Sequence, residues 1–252
     1  MRWALLAIWV LVAKATASNT GSNKTLHSSN EPGDGLPTNF GIVLFPEFQA
    51  LDVFGPLDAL NLLSLGRKLN LSIIAETLDP ISTQVRSPEI NKFGSSFAEA
   101  IVPTHTFKTA PPLEVLIIPG GYGTFAPTVG PVLEYIKRTY PSLKYVLTVC
   151  TGSDLLARTG ILDGRYATTN KQMYNVIIQN GPKVKWVPEA RWVVDGNVWT
   201  SSGVSAGIDL TYAFIEAVYG NVLGNMVSEG MEYVRNIDWR KDPFAHLVTG
   251  SK

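Results

Sequence analysis

The sequence predicts an α/β fold: a doubly wound, mostly parallel sheet flanked by helices. Two observations carry that prediction. Short, nearly continuous apolar runs such as Phe40–Phe45 and Leu113–Ile118 alternate with helix-length segments, the pattern of buried parallel strands joined by crossover helices. Two of those runs also end on turns of small residues, Pro119-Gly120-Gly121-Tyr122-Gly123 and Cys150-Thr151-Gly152-Ser153. Ligands in such folds bind beyond the carboxyl ends of the strands.

Residues 1–17 read as a secretory signal. Arg2 precedes the apolar run Trp3–Ala13, and Ala15-Thr16-Ala17 supplies small residues for cleavage. The run falls well short of the roughly 20 apolar residues that span a bilayer. Ser18–Asn39 is polar, rich in Ser, Asn and Gly, and reads as a flexible leader. The domain proper is expected over 40–235, with a tail over 236–252. In an exported protein, the Asn23-Lys24-Thr25 and Asn70-Leu71-Ser72 sequons would carry glycans. Lys+Arg and Asp+Glu balance at 21 each, so composition gives no reason to expect a nucleic-acid or anionic-membrane partner.

Within the domain, Phe40–Phe45 is a central strand and Pro46–Leu51 a loop. Asp52–Pro56 leads into a helix over Leu57–Leu65, with Pro56 suited to its first turn. Leu71–Ala75 is a strand, Asp79–Ser96 irregular with strand-like pieces, and Thr104–Pro112 a loop. The strand Leu113–Ile118 runs into the glycine turn, where missing side chains permit close backbone approach. Val132–Tyr140 reads as a helix. The β-branched and aromatic run Tyr145–Val149 is a strand, followed by a helix reaching Arg158. Tyr166–Thr169 is a short strand and Lys171–Gln179 a helix. Strands over Val184–Val187, Arg191–Val194 and Val198–Thr200 follow, the last two joined at Asp195-Gly196. Ile208–Tyr219 is a helix with apolar residues at helical spacing, and Val222–Val234 another.

Cys150, the single cysteine of the chain, is the candidate nucleophile. A side chain at a strand-to-helix junction is lifted out of the sheet, as at a nucleophile elbow. Helix N–H groups there favour thiolate and predict a thiol pKa below the ~8.5 of free cysteine. Asp52 sits among apolar neighbours, where a carboxyl can hold a proton near neutral pH. If the N–H groups of Gly120, Gly121, Thr151 and Gly152 converge, they form an anion-stabilising hole. The three histidines, His27, His105 and His246, lie in the leader, a loop and the tail, none in place to serve a cysteine as base. No clustered Cys/His pattern calls for a metal, and no cofactor is expected.

These residues carry a resemblance. FGIVLFPEFQALDVFGPLDAL, LIIPGGYG, VCTGSDLLARTGILDGRYATTN and WVVDGNVWTSSGVSAGIDL resemble the ThiJ/PfpI superfamily of class I glutamine-amidotransferase-like domains from about Phe40 to Tyr219. The resemblance implies a flavodoxin-like sheet and a homodimer. Leu51-Asp52…Gly55-Pro56 with Cys150-Thr151-Gly152 is most similar to the isonitrile hydratase branch, which implies that Asp52 is the acid and Cys150 the nucleophile. Many relatives place histidine after the ATT strand, where this chain has Asn170. The peptidase branch has histidine after the cysteine, where this chain has Thr151. Both departures disfavour glyoxalase, deglycase and peptidase chemistry. Regulators built on this domain add a C-terminal helix-turn-helix, for which the tail is too short. The implied reaction is hydration of a small isonitrile to an N-formamide, with thiolate attack at the terminal carbon and a proton from Asp52 to nitrogen. Another Cys/Asp lyase or isomerase is the enzymatic alternative. A redox-sensing or binding protein is the non-enzymatic one.

Overall fold

The computed structural model describes residues 35–249, so the expected signal, most of the leader, the Asn23 sequon and His27 lie outside it. β1 (Asn39–Val43) is flanked on one side by β2 (Asn70–Ala75) and on the other by β6 (Val115–Ile118), all parallel. α1 (Ala50–Gly66) crosses from β1 to β2. A two-stranded excursion, β3 (Ile81–Ser82) and β4 (Ala100–Ile101), precedes the edge strand β5 (His105–Thr106). α2 (Gly130–Thr139) then leads to β7 (Tyr145–Thr148), which lies beside β6, and α3 (Gly152–Arg158) follows. β8 (Tyr166–Ala167) and β9 (Lys185–Trp186) pair with each other on either side of α4 (Tyr174–Asn180). The hairpin β10 (Trp192–Asp195) and β11 (Val198–Ser201) completes the main sheet, whose order is β10-β11-β7-β6-β1-β2-β5. α5 (Ala206–Tyr219), α6 (Asn221–Gly230) and the short α7 (His246–Thr249) end the chain.

Every ladder in the main sheet is parallel except β10 on β11. The order reverses beside β1, and the switch point of a doubly wound sheet is where a crevice opens above the strand ends. β6 is buried at every residue and β7 at all but its first, which is why the sequence shows them as runs of apolar and β-branched residues. Phe214 on α5 is an aromatic hub, edge-on to Phe40, Tyr145 and Trp199 at 6.3, 5.2 and 5.5 Å. It ties three strands of the sheet to one helix.

Three expectations change. α1 begins at Ala50 rather than Leu57, so Asp52 stands in its first turn and Pro56 lies inside the helix. A proline there removes one backbone hydrogen bond. Burial of Val53, Leu57, Leu60 and Leu63 on the same helix outweighs that loss. His105, expected in a loop, is in β5. The flanking bonds Thr104 N–H to Ile73 O (2.8 Å) and Phe107 N–H to Ala75 O (2.9 Å) form the strand without an apolar run to announce it. Residues 236–245, expected as tail, are docked. Arg191 N–H donates to Trp239 O at 2.7 Å, Asp242 N–H to Glu189 O at 2.9 Å, and Asn236 N–H to Asp209 Oδ1 at 2.9 Å.

Candidate active site

β7 delivers Cys150 into a backbone conformation with φ of 59°, which L-residues rarely adopt. The strain is held by bonds on both sides of the residue. Cys150 N–H donates to Ser202 O at 3.0 Å, and its carbonyl accepts the Ser153 and Thr169 hydroxyls at 3.1 and 3.2 Å. Gly152 must lack a side chain, because a Cβ there would lie 2.3 Å from Ile118 O. The result is a strand-turn-helix elbow with its thiol at the carboxyl end of the sheet.

Asp52 reaches the same point from α1. The loop before the helix is tied to the glycine turn, since Gln49 N–H donates to Gly120 O at 2.8 Å. Asp52 is fully buried, and its Oδ2 accepts the Gly120 N–H at 2.9 Å. Its Oδ1 is buried without an aligned protein partner, and the Cys150 thiol is the polar side chain that bears on this carboxyl. Burial pushes the Asp52 carboxyl up to about 7, against the opposing pull of the Gly120 N–H and the thiol.

The expected hole does not form as drawn. Gly120 N–H is committed to Asp52, Gly121 N–H to Thr151 Oγ1 at 2.9 Å, and Gly152 N–H to Val149 O at 2.9 Å. Thr151 N–H remains and bears on the sulfur, joined by Val204 N–H and by Asn170 Nδ2, which donates to Sγ at 3.1 Å. Asn170 is oriented by its other end, where Oδ1 accepts the Met173 N–H at 2.9 Å. Val204 was invisible to sequence reasoning. A backbone donor carries no side-chain signature, and the small polar stretch Ser201–Gly207 was the one available hint.

Cys150 is 5% exposed, and burial followed by the charge of Asp52 pushes its thiol up to about 12. The expected thiol below ~8.5 is therefore reversed. Desolvation outweighs the N–H donors and the dipole of a helix only seven residues long.

The sulfur opens on a cavity of about 160 Å³ lined by Gln49, Tyr122, Phe125, Asn170, Gln172 and Met173, among others, with no charged side chain. Larger cavities lie against β10 and α5, away from Cys150 and Asp52. Neither His105 nor His246 is among the groups around the thiol, and among the described residues no cluster could hold a metal ion. No helix of the described residues is long and apolar enough to cross a membrane.

Residues 40–217 match the model of the DJ-1/PfpI family. An isonitrile hydratase of Pseudomonas putida is 32% identical over 205 residues, 79% of each chain. The HTH-type transcriptional regulator GbdR of Pseudomonas aeruginosa is 27% identical over 151 residues, 59% of this chain and 41% of the regulator. A crystal structure of a ThiJ/PfpI family protein from Pseudomonas syringae superposes with a TM-score of 0.67 at 26% identity, covering 84% of this chain and 85% of that one. The family match begins at residue 40, after the expected signal, and nothing found indicates a signal peptide, so the signal-peptide and secreted-glycoprotein reading is withdrawn. Asn70, the sequon residue inside the described region, donates its side-chain amide to Asn39 Oδ1 at 2.8 Å. The central sheet, the cysteine elbow and the sequence match over most of the chain place this protein in the DJ-1/PfpI family.

Proposed function

We propose that the protein is a hydro-lyase that adds water to a small, uncharged isonitrile, giving an N-formamide. The observation that carries this reading is the buried Cys150–Asp52 pair, which has no histidine beside it among the described residues. With Asp52 ionised and Cys150 a thiol, the pair holds one proton. As sulfur attacks the terminal carbon of R–N≡C, its proton passes to Asp52 and from there to that carbon. The product is the thioformimidate R–N=CH–S. The added carbon carries the lone pair, so it, not nitrogen, takes this first proton. Water then attacks the same carbon, giving one proton to Asp52, which passes it to nitrogen, so the adduct is R–NH–CH(OH)–S and Asp52 is ionised again. Cleavage of the C–S bond releases R–NH–CHO, and the hydroxyl proton returns to the pair. Asn170 Nδ2 and the N–H groups of Thr151 and Val204 steady the sulfur's charge as it forms and leaves.

The cavity fits this assignment, since about 160 Å³ is close to the size that admits a benzene-sized guest. The hydratase of Pseudomonas putida is the relative that suggests the substrate. Isonitriles beside methylglyoxal, incubated with purified protein and read by mass spectrometry, test it. Formamide should accumulate over many turnovers, and no consumption of any isonitrile would end the proposal. A second reading is favoured by the high thiol pKa, which suits a residue that is not a nucleophile. The same cavity would then bind a small neutral effector, as in a ligand-sensing domain. Stoichiometric binding without turnover identifies that case. We also propose a homodimer, the common state in this family. Light scattering at micromolar concentration should give about twice the chain mass.

A further inference from the structure

We propose that the C-terminal segment Asn236–Ala245 is a working part of the site, holding the Cys150 elbow and the Asn170 amide in register. The proposal rests on the reading of Cys150 as the reacting residue. Two routes lead from the segment to the sulfur. The first is a relay of backbone hydrogen bonds. Arg191 N–H donates to Trp239 O at 2.7 Å, Ser202 N–H to Arg191 O at 2.8 Å, and Cys150 N–H to Ser202 O at 3.0 Å. Each residue in the relay is fixed by its predecessor, and the last is the strained elbow itself.

The second route runs through charge. Asp242, buried, stands 4.0 Å from Arg191 Nη1, while Asp209 Oδ2 accepts Arg191 Nε at 2.6 Å. Lys171 is buried beside them, and Asp242 and Glu189 are the acidic groups whose charge favours its ammonium. Its Nζ donates to Thr168 Oγ1 and Ala190 O, each at 2.7 Å. Lys171 directly follows Asn170, so the position of the ammonium sets the start of the turn that points Nδ2 at the sulfur. The family match ends at residue 217, so this support lies outside the matched region.

Asp242→Asn keeps the shape of the segment and removes its charge, and a chain ending at Arg235 removes the segment altogether. The alkylation rate of Cys150 by iodoacetamide at fixed pH is one readout, because it needs no substrate. Asp242→Asn should slow alkylation several-fold and lower kcat about tenfold with KM nearly unchanged. Deleting 246–252 alone should change neither. If the chain ending at Arg235 does not fold, Asp242→Asn decides the matter, with circular dichroism to show that it does. A folded Asp242→Asn with wild-type alkylation and turnover overturns the proposal. Altered alkylation in a protein that turns over no isonitrile leaves the support intact and removes the assigned reaction instead.

Discussion

Asp52 and Cys150 depend on each other, and their substitutions should reveal it through opposite effects. Asp52→Asn removes the proton carrier, so turnover should fall roughly 10²–10⁴-fold, the usual worth of a positioned acid or base. The same change removes a negative charge facing the thiol. Alkylation of Cys150 at pH 8–9 should therefore become faster in the variant, while wild type labels slowly. The pH profile follows from the same carboxyl. Its ionised form accepts the thiol proton, so kcat/KM should rise with pH through about 7 in wild type and lose that limb in Asp52→Asn. Stability moves the other way. The native carboxyl, up at about 7, keeps a proton that the unfolded chain gives up near ~3.9. That contribution is complete below ~3.9 and is lost as pH rises to about 7. Thermal unfolding should therefore show wild type losing ground to Asp52→Asn across that window. Cys150→Ser should abolish turnover with unfolding almost unchanged.

At the scale of elements, the elbow is a packing problem as much as a chemical one. A methyl group on Gly152 would sit 2.3 Å from Ile118 O and push α3 away from β6. Gly152→Ala should cost about 1–3 kcal/mol, readable by urea titration, and most of the turnover. The strand cores and the cysteine junction were legible because a buried parallel strand has no choice but to be apolar on both faces. Cys150 was legible as the lone cysteine at a strand end, and Asp52 as a carboxylate set among apolar neighbours. The start of α1 was not, since Pro56 reads as a helix opener unless tertiary burial of Val53 and its neighbours is known. The thiol's ionisation was misjudged for a similar reason. Helix polarity is local and visible in sequence, whereas burial at 5% exposure is a property of the whole packed site.

At the scale of the molecule, the segment past α6 converts what sequence presents as a tail into a brace. Asp195-Gly196 was readable as a hairpin, and Gly196 has the expected positive φ of 61°. What the hairpin packs against was not readable, because the contacts of Arg191 come from Asp209, Trp239 and Asp242, distant in sequence and joined by backbone atoms or single charges. Phe93 and Phe97 stand 98% and 93% exposed on the excursion between β3 and β4.

The two edges of the sheet have a consequence for how copies of this chain can meet. One edge is β5, two residues long. The other is β10, with Trp239 O capping the N–H just before it and the Asp195 carboxylate at its far end accepting the Tyr166 N–H at 2.8 Å. The edges are two and four residues long, so each offers a neighbour only a short stretch of strand backbone. Extending one sheet into the next is thereby restricted at both ends, which favours association through faces and loops.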